Sequence, residues 1–282
     1  MSWQFFLILS IGSEVFARLL QRVLLKNDKS DPVAYSVVTQ LITGLLVGIF
    51  ALSQGFVIPD LSKIWPHLIA MPVLWGLANL FIYKSLKSTE ASIFVILFST
   101  RAIWQIICAV LFLQEVFTVQ QFIGTLLILG SVILVSSNKT KISFKKGELF
   151  AIGAAILFAI SLINDAFVVR TFDVPSYLTF GFFLPALVIW ALYPKKTPEI
   201  LSIVTNTSLW RIGVLATLFG ISALTTLYAY KVGNNAAQIG ALFQTSTILT
   251  VLAAIFLLNE RKSLVLKILA GIVSCIGVIL II

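Results

Sequence analysis

The chain has 282 residues, of which 59% are hydrophobic and 11% charged, with a formal net charge of +9. Water-soluble domains carry about 25% charged residues, so this composition excludes a soluble domain as the main architecture. The basic excess does not indicate nucleic-acid binding, because the lysines and arginines lie in short connections between apolar runs, where they orient membrane helices. The composition therefore predicts a multi-pass membrane protein whose surroundings are a lipid bilayer.

Ten apolar runs recur along the chain, and each is long enough to cross a hydrocarbon core about 30 Å thick. In chain order, spans 1 to 10 are predicted over 3–25, 33–54, 64–83, 91–114, 119–138, 148–169, 175–194, 209–230, 236–258 and 264–282. Span 1 carries charged residues and is not followed by a small-residue cleavage site, so it is predicted to be a membrane helix and not a signal peptide. The fold class is all-α, with ten transmembrane helices.

Span 1 carries a polar stripe. Ser10, Glu14, Arg18 and Gln21 follow helical spacing and fall on one face. A charge within a membrane costs several kcal/mol unless it faces a cavity or a partner, so each charged residue is a site candidate. We predict Glu14 as a coupling residue that exchanges protons. The alternative is a structural Glu14–Arg18 ion pair.

Spans 3 and 4 supply predicted substrate-binding residues. Trp75 and Asn79 are one turn apart on span 3, where an aromatic wall with polar tips suits a small-molecule pocket; interhelical packing is the alternative. Arg101 and Gln105 are one turn apart on span 4. A buried guanidinium binds a carboxylate or phosphate through two hydrogen bonds. The alternative for Arg101 is a structural ion pair with an acid of span 1 or span 6.

Markers of the first half of the chain recur in the second half. The markers are Tyr83-Lys84, Gly124 and Gly130, which recur 147 residues later as Tyr230-Lys231, Gly271 and Gly277. We predict two five-helix repeats over 1–138 and 148–282, joined by a basic linker over 139–147. Because five is odd, the second repeat is inverted in the membrane. The glycines, with Gly44 and Gly48, are predicted to permit close helix contacts.

The second repeat supplies three further predicted site residues. Asp165 on span 6 is predicted to act in coupling; the alternative is a solvated carboxylate near its helix end. Thr226 on span 8 aligns with Asn79 and is predicted to bind substrate, as is Gln244 on span 9. For Thr226, as for Asn79, interhelical packing is the alternative.

The remaining polar residues favour structural roles. Glu115 and Glu260 lie in short connections, where a carboxylate can cap the next helix. Cys108 and Cys275 lie inside apolar runs and are predicted to pack there. With one histidine and no nucleophile–base pair or metal-ligand cluster, the sequence predicts no enzyme, no catalytic residue, no metal and no cofactor.

Two signatures resemble a known family. They are Leu113-Gln114-Glu115 and Leu258-Asn259-Glu260, each followed by a helix with two glycines six residues apart. With the five-plus-five layout they resemble the EamA-type branch of the drug/metabolite transporter superfamily. The resemblance covers essentially the whole chain. It implies a central cavity lined by spans 1, 3, 4, 6, 8 and 9, and export or exchange of metabolites, amino acids or drugs. The segment around Glu14 also resembles the membrane glutamate segment of small multidrug resistance proteins, in which the acid exchanges protons against cationic drugs.

Two features depart from the family pattern. Relatives often carry a proline in spans 4 and 9, where this chain has Arg101 and Ser246. Most of the 20 Lys and Arg residues follow odd-numbered spans, which places both termini outside by the positive-inside rule, whereas many relatives keep their termini in the cytoplasm.

The predicted function is secondary transport of a small metabolite by alternating access, as a proton-coupled exporter or exchanger in a bacterial or archaeal inner membrane. The alternatives are a multidrug or cationic-compound exporter, and a channel or binding protein without coupling. The predicted partners are a small-molecule substrate, protons and the bilayer, with no nucleic acid. A monomer and a homodimer are both compatible with the sequence.

Overall fold

The computed structural model describes residues 1–27, 31–88, 94, 97–136, 145–205, 209–233, 235–257 and 264–282. The α-helices in these residues are α1 (Trp3–Asn27), α2 (Pro32–Ser53), α3 (Trp65–Ser88), α4 (Arg101–Leu113), α5 (Val119–Ser136), α6 (Lys146–Val168), α7 (Val174–Leu192), α8 (Thr197–Thr205), α9 (Leu209–Gly233), α10 (Ala236–Phe243), α11 (Thr245–Leu257) and α12 (Leu264–Ile281). Short 3-10 helices cover Leu61–Lys63 and Pro194–Lys196. Most of the predicted linker, 139–144, and the signature at Glu260 lie outside the described residues.

Six of these helices are long and apolar enough to cross a membrane: α1, α2, α3, α6, α7 and α9. Three shorter apolar stretches, Leu97–Leu113, Val119–Leu134 and Ile268–Ile281, coincide with predicted spans 4, 5 and 10. Predicted span 9 consists of two helices, α10 and α11. The all-α multi-pass membrane fold is confirmed, and the count of ten spans stays a prediction.

The chain forms two compact units. Unit 1 comprises Met1–Leu80 with Asn164–Val232, and unit 2 comprises Phe81–Ile163 with Gly233–Ile282. Each unit draws on both predicted sequence repeats, so the units of packing differ from the repeats. The repeat boundaries themselves stay a prediction.

In unit 1, α2 and α7 begin with the same local design and pack against each other. Asp31 Oδ1 accepts hydrogen bonds from Val33 N and Ala34 N at 2.9 and 3.2 Å, which caps α2. Asp173 caps α7 in the same way, through Ser176 N at 3.0 Å. Farther along, an added Cβ at the two glycines of α2 would lie 3.1 Å from Phe183 and 3.2 Å from Thr179, so Gly44 and Gly48 allow the close packing predicted for them.

Helix α8 is an element that the sequence analysis left as a connection. Its Ile200 and Ile203 are buried in the hydrophobic core of unit 1, and Trp190 Nε1 donates to Thr197 Oγ1 at its first residue over 2.9 Å. Just before this helix, Lys196 Nζ lies 2.8 Å from Asp31 Oδ2. An ion pair therefore joins the start of α8 to the start of α2.

This ion pair predicts a pH-dependent contribution to stability. Partial burial alone would raise the pKa of Asp31, but its bonds to Lys196, Ala34 and Val33 and the charge of Lys196 lower the pKa below its ordinary 3.8. Because the folded-state pKa is depressed, the stabilisation is present above pH 3.8 and is lost as the pH falls through the lower folded value. Asp31→Asn should cost about 0.5 kcal/mol at neutral pH, since solvent screens the pair.

Thermal unfolding of purified wild type and Asp31→Asn across pH would measure this contribution. The gap between the two should narrow as the pH falls below 3.8. Glu199→Gln is the matched control. Glu199 forms a longer ion pair with the same lysine, at 3.2 Å, and is more exposed, so this substitution should change stability less. A gap that does not depend on pH would contradict the assignment.

In unit 2, α5 and α12 cross backbone to backbone. An added Cβ at Gly124 would lie 2.6 Å from the carbonyl oxygen of Gly277, and one at Gly277 would lie 2.6 Å from that of Gly124. These equivalent contacts require glycine on both helices. Gly271 is close to Leu252, at 3.1 Å, whereas Gly130 is exposed and no described atom lies within 4 Å of an added Cβ. The predicted close contact is therefore found at three of these four repeat glycines.

Candidate functional site

Unit 1 holds a buried acid on α1. Glu14 is only 8% exposed, and its Oε1 accepts from Arg18 Nε at 2.8 Å while its Oε2 accepts from Ser222 Oγ on α9 at 3.2 Å. Arg18 also donates to Gln21 Oε1 at 3.1 Å and lies 5.2 Å from the centre of the Phe219 ring. The predicted stripe thus contains the i,i+4 ion pair that was the alternative to a coupling role.

The Ser10 end of this stripe connects α1 to α9. Ser10 Oγ lies 2.5 Å from Thr226 Oγ1 and donates to the Ser222 carbonyl at 2.9 Å. Thr226 also donates to the Ser222 carbonyl, at 2.8 Å. The geometry around Thr226 is interhelical packing, the alternative to its predicted substrate contact.

A second buried acid lies on α6. Asp165 is 4% exposed; its Oδ1 accepts from Tyr177 Oη on α7 at 2.5 Å and its Oδ2 from Trp75 Nε1 on α3 at 3.0 Å. The alternative of a solvated carboxylate is wrong, because helices α3 and α7 cover it. Asn79, one turn beyond Trp75 on α3, is partly buried.

The two acids have equivalent hydrogen-bond donors, although the acids themselves lie 151 residues apart. Their donors Trp75 and Ser222 lie 147 residues apart, the offset of the repeat. Each acid therefore receives a hydrogen bond from the same position of span 3 or span 8. The sequences differ four residues later, where Arg18 follows Glu14 and Val169 follows Asp165.

The single histidine lies next to Asp165 in the packing. His67 Nδ1 is 2.8 Å from Asn164 Oδ1, Asn164 Nδ2 donates to the His67 carbonyl at 3.1 Å, and the imidazole stacks on Phe167 at 4.3 Å. A backbone carbonyl only accepts, so the amide nitrogen of Asn164 must face it and the amide oxygen must face Nδ1. Nδ1 of His67 is therefore the donor of this hydrogen bond and Asn164 Oδ1 is the acceptor.

Unit 2 holds the buried arginine. Arg101 is 8% exposed at the start of α4, and its guanidinium carbon lies 4.6 Å from the ring centre of Phe98 and 4.9 Å from that of Phe158. Its Nε donates to Gln244 Oε1 at 3.2 Å. Two predicted binding residues, Arg101 and Gln244, are therefore in direct contact, beside two aromatic rings.

Spans 4 and 9 are both interrupted at this contact. The sequence Leu97-Phe98-Ser99-Thr100 recurs 145 residues later as Leu242-Phe243-Gln244-Thr245. Thr100 Oγ1 donates to the Leu97 carbonyl at 2.6 Å, and Thr245 Oγ1 donates to the Leu242 carbonyl at 2.7 Å. Threonine back-bonding to the preceding turn competes with the helical ladder. Each interruption is thus accompanied by a threonine hydroxyl bonded to the preceding turn, and neither position has the proline seen in many relatives.

Gln105 binds the backbone at the start of α10. Its Nε2 donates to the Ala236 carbonyl at 3.0 Å, and a Cβ at Gly240 would overlap its amide. Glu115 also reaches this end of α10, where its Oε2 accepts from Ala237 N at 2.9 Å. The left-handed residue Gln114, with φ 55°, turns the chain between α4 and Glu115. Glu115 thus caps a helix distant in sequence, and its predicted capping of the next helix stays a prediction.

Two site residues were missed from sequence. Tyr177 belongs to Asp173-Val174-Pro175-Ser176-Tyr177, which repeats Asp31-Pro32-Val33-Ala34-Tyr35, and this repeat was the available signal. Phe158 lies in an apolar run of α6, and no local pattern distinguishes it. For metals, the described residues contain no group of three or more His, Cys, Asp or Glu that could hold an ion.

The helices and their buried charges define the class of a multi-pass membrane protein with ionisable groups inside its spans. The model of the EamA-like transporter family matches residues 1–137. The predicted resemblance to this family is confirmed over these residues, which are nearly the whole of the first predicted repeat.

A comparison of folds extends over the whole chain. A solved structure, described only as a crystal structure of a protein, matches with a TM-score of 0.79 at 16% sequence identity, covering 99% of this chain and 95% of that chain. At this identity the likeness shows the fold alone. No curated protein matches the sequence.

Proposed function

We propose that this transporter moves a small solute bearing a carboxylate or phosphate, with Arg101 as the group that binds the anion. The observation that carries the proposal is the position of this guanidinium, 8% exposed and in contact with Gln244 where two spans are interrupted. Transporters commonly build their binding sites at interrupted membrane helices. A permanent charge at such a place has a functional role by default.

The surroundings of Arg101 suit anion recognition. Phe98 and Phe158 contact the guanidinium through their rings, and cation–π contacts of this kind hold a planar cation by its face. A guanidinium makes its hydrogen bonds in its own plane, where a carboxylate or phosphate binds with two parallel bonds. Gln244 orients this plane through Nε.

We propose alternating access as the mechanism, with proton coupling through the buried acids of unit 1, in export or exchange across a bacterial or archaeal inner membrane. Glu14 and Asp165 are the candidates because each lies inside an apolar span and is almost fully buried. A multidrug or cationic-compound exporter is the second candidate, since buried acids and aromatic rings also bind cations.

Counterflow in proteoliposomes tests this function. A thermal-shift screen against amino acids, organic acids, sugar phosphates and cationic dyes first selects a ligand, because a ligand that prefers the folded state raises its stability. Vesicles loaded with that ligand should then take up its labelled form several-fold faster than empty vesicles. Stabilisation by cationic dyes alone would favour the second candidate, and uptake without trans-stimulation would indicate a channel.

A further inference from the structure

Unit 1 holds two buried acids that receive hydrogen bonds from equivalent donors, and the acids differ in the charge of their other partners. We propose that Asp165, and not Glu14, is the site at which this protein binds and releases a proton, and that Tyr177 positions this proton. The role of this proton in transport rests on the proposed function, which includes proton coupling. Its chemistry can be tested without any transported solute.

Glu14 has a built-in counter-charge. Arg18 Nε lies 2.8 Å from its Oε1, on the same helix and one turn away. A nearby positive charge favours the ionised form of a carboxyl group. Both residues lie on α1, so Glu14 has its counter-charge without any contribution from another helix.

Asp165 has neutral donors. Tyr177 Oη and Trp75 Nε1 contact its two oxygens at 2.5 and 3.0 Å, and Val169 occupies the place that Arg18 has on α1. Among the described residues of unit 1, no basic side chain forms an ion pair with Asp165. A carboxylate in a span is costly without a cation, and binding a proton removes that cost.

The hydrogen bonds indicate which oxygen takes the proton. An indole N–H only donates, so Oδ2, which faces Trp75, has no acceptor for a proton of its own. A hydroxyl both donates and accepts, so Tyr177 can turn its hydroxyl and accept from a proton on Oδ1. Binding therefore forms one O–H bond on Oδ1 with a proton from the aqueous phase, and release returns that proton to water.

Other ionisable groups occur on the elements around Asp165, and the experiment must distinguish their titration from that of Asp165. His67 on α3 contacts Asn164, the neighbour of Asp165. Lys231 on α9 donates to the Phe172 carbonyl at 3.1 Å, and Asp173 caps α7. The groups to separate are therefore His67, Tyr177, Lys231, Asp173 and Arg170 of the turn after α6.

Trp75 provides the measurement, because its indole touches the titrating group. The tryptophan fluorescence of the purified protein in nanodiscs would be recorded from pH 4 to 9. The same titration would be recorded for Trp75→Phe and subtracted, which leaves the signal of Trp75. A one-proton transition should appear, should be absent in Asp165→Asn, and should persist in Glu14→Gln and His67→Gln. A transition lost in Glu14→Gln or in His67→Gln, or no transition in the wild type, would overturn the proposal.

Tyr177→Phe is a second variant that tests the proposal even if Asp165→Asn does not fold. Removing the hydroxyl should move the midpoint upward by about one pH unit, because the bond that Tyr177 donates to the ionised carboxylate is stronger than the bond that it accepts from the protonated form. Tyr35→Phe, the equivalent tyrosine at the start of α2, is the matched control and should leave the midpoint in place. An unmoved midpoint in Tyr177→Phe would refute its positioning role. A normal titration in a protein without counterflow would leave this inference standing and refute the proposed function.

Discussion

Replacing Arg101 by alanine is expected to weaken binding of an anionic solute by about 10- to 100-fold, because charge-assisted hydrogen bonds contribute about 1.5–3 kcal/mol. Higher ligand concentrations should then be needed for the same thermal stabilisation, and counterflow should be lost. The affinity of Arg101→Lys for the anion should lie between that of the wild type and that of Arg101→Ala. Lysine keeps the charge but cannot form the two parallel hydrogen bonds of a guanidinium. The contact with Gln244 and the two phenyl rings hold the wild-type guanidinium in place.

The matched control is Arg211→Ala. Arg211 also contacts an aromatic ring, with its guanidinium carbon 5.6 Å from the centre of Trp210, but both residues are exposed. This variant should bind and transport as the wild type does. If Arg101→Ala keeps full affinity for every anion that stabilises the wild type, Arg101 is structural and the anion-binding proposal fails.

Gly277→Ala and Gly124→Ala are expected to be the most destabilising single-methyl additions in unit 2. Each new Cβ would lie 2.6 Å from a backbone carbonyl of the other helix, so α5 and α12 would have to move apart. Overpacking of this kind costs about 1–3 kcal/mol, and backbone leaves less room to adjust than a side chain does. Thermal unfolding followed by size-exclusion chromatography would show an earlier loss of the monodisperse peak.

Gly130→Ala provides the comparison on the same helix. It is exposed and has open space among the described residues, so an added methyl should be neutral or slightly stabilising, since alanine favours helix. Equal stability of Gly124→Ala and Gly130→Ala would show that the close crossing of α5 and α12 does not form.

The parts of the fold that the sequence predicted are those decided by length and hydropathy. Long apolar runs have few alternatives in a membrane, so α1, α2, α3, α6, α7 and α9 follow from composition. Helix α8 was missed because its nine residues are too short for a span and lie beside lysines. The interruption at Gln244 was missed because a single polar residue inside an apolar run usually continues the helix.

In the candidate site, contacts within one helix could be predicted from the sequence, and contacts between helices could not. The Glu14–Arg18 pair was predictable because four residues on one helix bring two side chains together. The bond from Tyr177 to Asp165 was not, because it depends on how α6 and α7 pack. Gln105 and Glu115 show the same limit, since both contact the start of α10, more than 100 residues away in sequence.

The interruptions at Thr100 and Thr245 have a consequence for how the region around Arg101 can change shape. A proline removes a backbone donor permanently, so a helix that it interrupts stays interrupted. Here each interruption is accompanied by one hydroxyl bonded to the carbonyl three residues earlier, at 2.6 and 2.7 Å. Such a bond can break and re-form without any covalent change. We therefore expect spans 4 and 9 to be able to straighten at these two places, which adjoin Arg101 and Gln244, where a helix interrupted by proline could not.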